Sequence, residues 1–424
     1  MVKKRSKSIP LSSLKVGMHI SKLDIPWVDS PFLSHSRTVK SEKDIQLLKN
    51  AGVKNLVIDP NKGLDIDTSN KEEAPEPNAS KEKSHPKEAN PTEILKTTTP
   101  QTAAEKRGRM LEAEMQKGLK IRKEVRDAIH HALADITAGK NIETEPLLPL
   151  IDQTLESLAR NNQALLNLAH LSRRTQKLAD HSFSTLCIAL NLARVMKINE
   201  QAYEALGVAA LLHEAGWAQI PIQLMGKRTP YTETETKLIE RHSELGVRFL
   251  SNCKIPEISS RVIEEHHERC DGSGYPKQMR GNALHPLSKL FAVVDRYDEL
   301  VHQLNDKPGM LPNNALRVLY LEAQQGMYDN NVVASLISLL GVYPISTAVK
   351  LNDGRVGIVR EVHSETPLLP LVEIHIDANG KVLDTPIYID LASQEEQKRA
   401  TAIESVIDAA NATDPTHKRL TLDA

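Results

Sequence analysis

The chain changes its hydrophobic period along its length. Residues 9–27, IPLSSLKVGMHISKLDIPW, alternate apolar and polar positions, which predicts a half-buried strand. SEKDIQLLKNAG predicts a short helix with Ser41 as N-cap, Asp44 three residues on and Gly52 closing it. VKNLVIDP predicts another strand, so residues 1–63 read as a small α/β module. From 104 to 341 the period is helical. LEAEMQKGLKIRKEVRDAIHHALADITAG predicts a long amphipathic helix ended by Gly139, and TEPLLPLIDQTLESLARN and QKLADHSFSTLCIALNLARVMKI repeat the pattern. AYEALGVAALLHEAG is apolar nearly all round, as a buried central helix would be. TETETKLIERHSELGVRFLSN opens on a capping box, Thr232 with Glu235. IPEISSRVIEEHHE, PLSKLFAVVDRYDELV, NNALRVLYLEAQQG and NNVVASLISLLG complete a bundle. After Gly341 the period becomes two. STAVKLNDGRVGIVREV and LVEIHIDANGKVLDTPIYIDL predict hairpins over 342–391, followed by a polar tail, 392–424. The expected fold is mainly α: a helical bundle with a small N-terminal α/β module and a C-terminal β-hairpin appendage.

Residues 64–103 break the periodicity. They are rich in Pro, Glu, Lys, Ser, Asn and Thr, carry too few apolar groups to offset ordering entropy, and read as a flexible linker. The 424 residues are 40% hydrophobic, enough for two to four domains. Lys+Arg total 54 against 55 Asp+Glu, and aromatics are 3% of the chain. That balance gives neither the charge nor the stacking platforms of a protein that binds nucleic acid polymer. No run reaches the ~18 apolar residues of a membrane span, and no apolar run follows MVKKRSK as a secretory signal needs. Three scattered cysteines, Cys187, Cys253 and Cys270, make neither a disulfide framework nor a CxxC zinc site, so a reducing cytoplasm is expected.

Histidine stands out, with 16 residues. His181, His213 with Glu214, His242, His266 with His267, and Asp295 fall where helices end or cross. Successive sites are about 24 to 32 residues apart, roughly one helix, a loop and part of the next. Each helix could therefore give one or two ligands to a shared cavity, and imidazoles with carboxylates suit Mn, Fe, Co or Zn. Adjacent His213 and Glu214 could serve two metals, the carboxylate bridging them. His213 and Glu214 end a very apolar helix, where a polar pair is costly unless used. His130, His131, His170 and His302 carry no such signal and are expected as surface or satisfied core residues. Gly272 and Gly274 permit tight turns after the double histidine, and Pro276 restricts the exit.

The string HHERCDGSGYP resembles the signature of the HD-GYP family, a branch of the HD hydrolases that cleaves the bacterial second messenger cyclic di-GMP. The match comprises His266, His267, Glu268, Asp271, Gly272, Gly274, Tyr275 and Pro276, and the resemblance covers residues 104–341. The first block resembles an uncharacterised domain that often precedes HD-GYP domains. The resemblance implies two divalent metals, Fe or Mn first, with Mg, Ni or Zn as alternatives. It implies His181, His213, Glu214 and Asp295 around one metal, and His242, His266, His267 and the bridging Glu214 around the other. His213 and Glu214 would be central to catalysis, and Glu268 and Asp271 would orient ligands. Gly272, Gly274, Tyr275, Pro276 and Trp217 would line the substrate or loop side, and the GYP loop could meet GGDEF-domain proteins. A homodimer through the 106–136 helix is compatible with its length but lacks a strict heptad.

The sequence departs from the family at three places. The dyad motif, His-Asp-Ile-Gly-Lys in the family, reads His213-Glu214-Ala215-Gly216-Trp217. Glu214 is one methylene longer than aspartate, and Trp217 removes a cation that would offset phosphate charge. Lys177 stands where some members place a glutamate for a third metal, so two metals are implied. The arginine-rich segment after the last aspartate is replaced by NDKPGMLP, whose cation is Lys307. A catalytically weak domain that binds cyclic di-GMP or a partner protein is therefore the alternative expectation, as is an HD hydrolase of another nucleotide.

Overall fold

The structure, a computed structural model, describes residues 7–23, 37–39, 41–50, 52–60, 63–64, 103–171, 178–224, 227, 229–302, 309–363 and 365–407. The expected linker apart from its ends, Lys177, Lys307 and the tail beyond 407 lie outside these residues. The contacts divide the chain into two units, 1–102 and 103–424.

In the first unit, β1 (Lys7–Pro10), β2 (His19–Leu23), β3 (Arg37–Thr38), α1 (Glu42–Asn50) and β4 (Asn55–Ile58) follow in order. The sheet order is β1-β4-β2-β3, with antiparallel pairing. The alternating run expected as one strand is two. A 3-10 turn at Leu11–Ser13 and Gly17 at φ +93° break the run, and β1 and β2 pair antiparallel with the two edges of β4, so both run in the same direction. Ile9, Met18, Ile20, Leu48, Leu56 and Ile58 form the core under α1.

The second unit opens on α2 (Ala103–Thr137), which ends before Gly139 at φ +72°. Then come α3 (Leu148–Arg160), α4 (Ala164–Leu171), α5 (Leu178–Val195) and α6 (Tyr203–Leu212). The apolar α6 is buried from Ala205 to Leu212. After it, α7 (Glu233–Glu240) and α8 (His242–Leu250) divide what the pattern joined into one helix; the Thr232–Glu235 capping box opens α7. The bundle closes with α9 (Glu257–Glu265), α10 (Pro286–Val301), α11 (Pro312–Gln324) and α12 (Asn330–Leu340).

A sheet of β5 (Ala348–Leu351), β6 (Val356–Glu361), β7 (Leu371–Ile376), β8 (Val382–Asp390) and β9 (Ile403–Val406) follows, with α13 (Gln394–Arg399) before its last strand. Its order is β8-β7-β6-β5-β9, all antiparallel. Two hairpins therefore become a five-stranded sheet, and β9 comes from the segment read as tail. Asn167 Nδ2 donates to the Arg360 carbonyl at 2.9 Å, and Tyr388 Oη to Glu112 at 2.7 Å, tying sheet to helices. The fold is mainly α-helical, with a small sheet at the N-terminal end and an antiparallel sheet at the C-terminal end.

Candidate metal centre

Five helices bring the polar residues together inside an apolar body. His181 lies on α5, His213 caps α6, and Glu214 starts the 3-10 turn Ala215–Gln219. His242 opens α8, His266 and His267 follow α9, and Asp295 sits in α10. Gly216 sets the closest approach: a Cβ there would lie 1.8 Å from the His242 carbonyl oxygen. Arg122 of α2 donates to Asp180 at 3.0 Å, holding the start of α5 beside His181.

The predicted residues form two sets. His181, His213 and Asp295 bring ligand atoms within 4.8 Å of one another, and so do His242, His266 and His267. Glu214 stands between the sets. Its Oε1 is 3.7 Å from His181 Nε2 and 4.0 Å from His213 Nε2; its Oε2 is 3.6 Å from His242 Nε2.

The hydrogen bonds fix which nitrogen faces inward. His213 Nδ1 donates to the Ala210 carbonyl at 3.0 Å, His242 Nδ1 to Ile239 at 2.8 Å, and His266 Nδ1 to Ile263 at 2.7 Å. A carbonyl only accepts, so Nδ1 carries the proton and Nε2 of the neutral ring is bare. His242 Nε2 nevertheless faces His266 Nε2 at 3.1 Å, and His213 Nε2 faces His181 Nε2 at 3.0 Å. Burial holds His266 and His267 well below the ordinary imidazole pKa, which keeps them neutral. The bare Nε2 atoms of His242 and His266 repel at that distance unless a cation lies between them. Glu214 Oε2 and Asp295 Oδ2 are buried without a hydrogen-bond partner among the described residues. Facing imidazoles and orphaned carboxylate oxygens fit divalent metal and are costly without it.

His181 is held differently. Asp298 Oδ2 accepts from its Nδ1 at 2.6 Å, and Asp295 Oδ1 lies 3.1 Å from its Nε2. Burial alone would lower its pKa, but the two carboxylates hold it well above the ordinary value. Burial would likewise raise Asp295, yet bonds from His181 and His213 hold it well below the usual carboxylate range. Asp298 also accepts from Ser184 Oγ and lies 3.0 Å from His302 Nδ1. Glu299, one turn after Asp295, is pushed up to about 7 by burial and by Asp295.

Sequence reading missed Asp298 and Glu299. With Asp295 they occupy positions i, i+3 and i+4 on one face of α10, next to buried Val293, Val294 and Tyr297, and that spacing was the available signal. Trp217 stacks on His242, with ring centroids 5.3 Å apart at 24°. Tyr275 packs on His267 at 4.7 Å, so the loop tyrosine forms part of the site's wall. Glu268 accepts from the backbone N–H of Lys277 at 2.6 Å and Met279 at 2.9 Å, and Asp271 from Ser273 at 2.9 Å. Both thus brace the loop itself, bonding its backbone and the Ser273 hydroxyl. Gly272, at φ +80°, turns the loop, and a Cβ on Gly274 would lie 2.5 Å from the His267 carbonyl oxygen. Pro276 follows Tyr275 through a cis peptide. His170, expected as a satisfied core residue, is buried with its Nε2 2.8 Å from Tyr297 Oη.

Comparison with known proteins finds three family matches along the chain. Residues 154–332 match the HD domain, residues 6–147 the domain of unknown function DUF3391, and residues 348–411 a KOW domain associated with HD domains. The chain is 29% identical over 405 residues to a cyclic di-GMP phosphodiesterase of Pseudomonas aeruginosa, covering 94% of this chain and 92% of that one. It is 26% identical over 203 residues to the 3'3'-cGAMP-specific phosphodiesterase 1 of Vibrio cholerae, covering 48% and 46% of the two chains. A solved HD-GYP-type protein of Bdellovibrio bacteriovorus aligns with a TM-score of 0.46 at 15% identity, over 79% of this chain and 99% of that one. Among the described residues no helix is long and apolar enough to cross a membrane. The chain thus carries an HD domain over residues 154–332 behind a DUF3391 domain, and its HHERCDGSGYP string resembles the HD-GYP signature.

Proposed function

We propose that the chain is a metal-dependent phosphodiesterase that opens cyclic di-GMP to the linear dinucleotide or to GMP. The observation that carries this reading is the pair of facing imidazoles, His181–His213 and His242–His266, with Glu214 between them. His181, His213 and Asp295 would hold one divalent cation; His242, His266 and His267 would hold a second, with Glu214 reaching both. Two such cations lower the pKa of a water and offset charge on the phosphodiester. The chain's own groups keep that arrangement fixed. Asp298 orients His181, and three backbone carbonyls set the tautomers of His213, His242 and His266. The relatives named above act on cyclic di-GMP and on 3'3'-cGAMP, and the relative that covers nearly the whole chain supports the first.

Trp217 bears on rate. It lies against His242, at the position where a lysine cation is the family pattern, and losing such a charge stabiliser costs about 10²–10³ in rate. The same feature favours a second reading, a domain that binds the dinucleotide and turns it over slowly or not at all. Reacting metal-loaded protein separately with cyclic di-GMP and 3'3'-cGAMP, and resolving products by chromatography, tests the substrate assignment. Faster opening of cyclic di-GMP is expected; equal or reversed preference would contradict it. Glu214→Asp with Trp217→Lys separates the readings: a rate rise of about 10²-fold or less fits a slow enzyme, whereas activity only in the double variant fits a receptor.

A further inference from the structure

Cyclic di-GMP carries two phosphodiesters, and the paired metals meet only the one being cut. The other brings a negative charge to a largely buried site, where a charge left unpaired is costly. Trp217, stacked on His242, has no cation to offer it. Cations of the surrounding helices are spent on carboxylates: Arg296 on Glu322 at 2.8 Å, Arg261 on Glu265 at 2.6 Å, Lys277 on Glu264 at 2.7 Å and Arg122 on Asp180 at 3.0 Å.

Arg269 is held without a carboxylate. It is half-buried, two residues after His267, at the start of the loop that carries Tyr275. Its guanidinium lies 4.7 Å from the centroid of the buried Tyr328 ring, and its Nη1 donates to the Glu268 carbonyl at 3.1 Å. Among the described residues no carboxylate oxygen lies within 4.0 Å of it. A guanidinium resting on a ring face keeps its in-plane donors available, so Nε and Nη2 can grip two oxygens of one phosphate. The loop is itself anchored: the Cys270 N–H donates to the Met327 carbonyl at 2.8 Å, next to Tyr328. Arg269 is therefore a fixed charge, not a freely moving one.

That charge faces the metal centre. Burial dominates the lowered pKa of His267 and the raised pKa values of Tyr275 and Glu299, and the Arg269 charge bears on all three. Glu299, the carboxylate of that group, lies 3.5 Å from Arg296 Nη1 instead. Among the described residues no hydrogen bond or ion pair joins Arg269 to a candidate metal ligand. It thus stands beside the centre but outside the metals' own contacts, a place for the phosphate that the metals do not touch.

We infer that Arg269 binds the phosphodiester of cyclic di-GMP that is not being cut, and so favours a substrate with two phosphates over one with a single phosphate. The inference rests on the phosphodiesterase reading above.

The test compares two substrates. Full-length, Mn-loaded wild type, Arg269→Ala, Arg269→Gln and Arg269→Lys are assayed with cyclic di-GMP and with bis(p-nitrophenyl) phosphate, which has one phosphodiester. Elemental analysis and circular dichroism follow metal content and folding, and Arg269→Gln keeps a polar stem over Tyr328 should alanine unfold the loop. The neutral variants are expected to lose about 10–100-fold more kcat/KM on cyclic di-GMP than on the single phosphodiester, mostly in KM, with metal retained. Arg269→Lys is expected to recover part of the loss. Equal losses on both substrates, or none on cyclic di-GMP, would overturn the role of Arg269 and leave the phosphodiesterase reading standing. Wild type that cleaves neither substrate would overturn both.

Discussion

Asp298 is fully buried and fixes His181 by accepting from its Nδ1 at 2.6 Å. Asp298→Asn is expected to weaken metal binding about 10–100-fold, as loss of an orienting carboxylate does, while the fold survives. Titration with a competing chelator measures this, and an unchanged affinity would show that His181 needs no orienting partner. Cys187 is buried in α5, and burial pushes its thiol far above the ordinary value. It is expected to resist alkylation until the protein unfolds, while half-buried Cys253 reacts first; mass spectrometry of briefly labelled protein reads the order. The ligand candidates were legible because histidines and the GYP string interrupt apolar segments. Asp298 and Glu299 were not, because carboxylates in DRYDEL read as a solvated face until α10 is known to turn that face inward.

Among the elements, the break between α7 and α8 matters most for the site. A continuous helix was expected across Arg241, yet α8 starts anew at His242 and seats the first turn of α8 on Gly216. Period alone cannot register such a break, since both halves keep their apolar face. Gly216→Ala would place a methyl 1.8 Å from the His242 carbonyl and 2.7 Å from Gly246 N. Backbone has to move, at a cost of about 1–3 kcal/mol. A melting temperature several degrees lower, with reduced metal content, is expected; native values for both would show that His242 does not depend on this contact. The N-terminal strands show a second limit of pattern: Leu11–Ser13 and Gly17 at φ +93° split one alternating run into two strands that flank β4, and only the backbone conformation reveals the break.

At the scale of the molecule, the C-terminal sheet is part of the helical unit's packing. Two hairpins were legible from Asn-Asp-Gly and Asn-Gly turns, but β9 was not. Its partner β5 lies over 50 residues earlier, and no local signal encodes so distant a pairing. Asn167, fully buried in α4, satisfies the Arg360 carbonyl of β6. Asn167→Ala leaves that carbonyl unpaired and is expected to cost about 1–3 kcal/mol in urea unfolding. A change below about 0.5 kcal/mol would mean the sheet docks without it. The helical unit in turn exists, on this account, to bring two sets of imidazole nitrogens together on either side of Glu214. The most direct test is chromatography of cyclic di-GMP after incubation with oxygen-free, Mn- or Fe-loaded protein, with His213→Ala as the blank. The account predicts linear product from the wild type and none from the blank. Metal-loaded wild type that leaves cyclic di-GMP intact, or product that persists in His213→Ala, would contradict it.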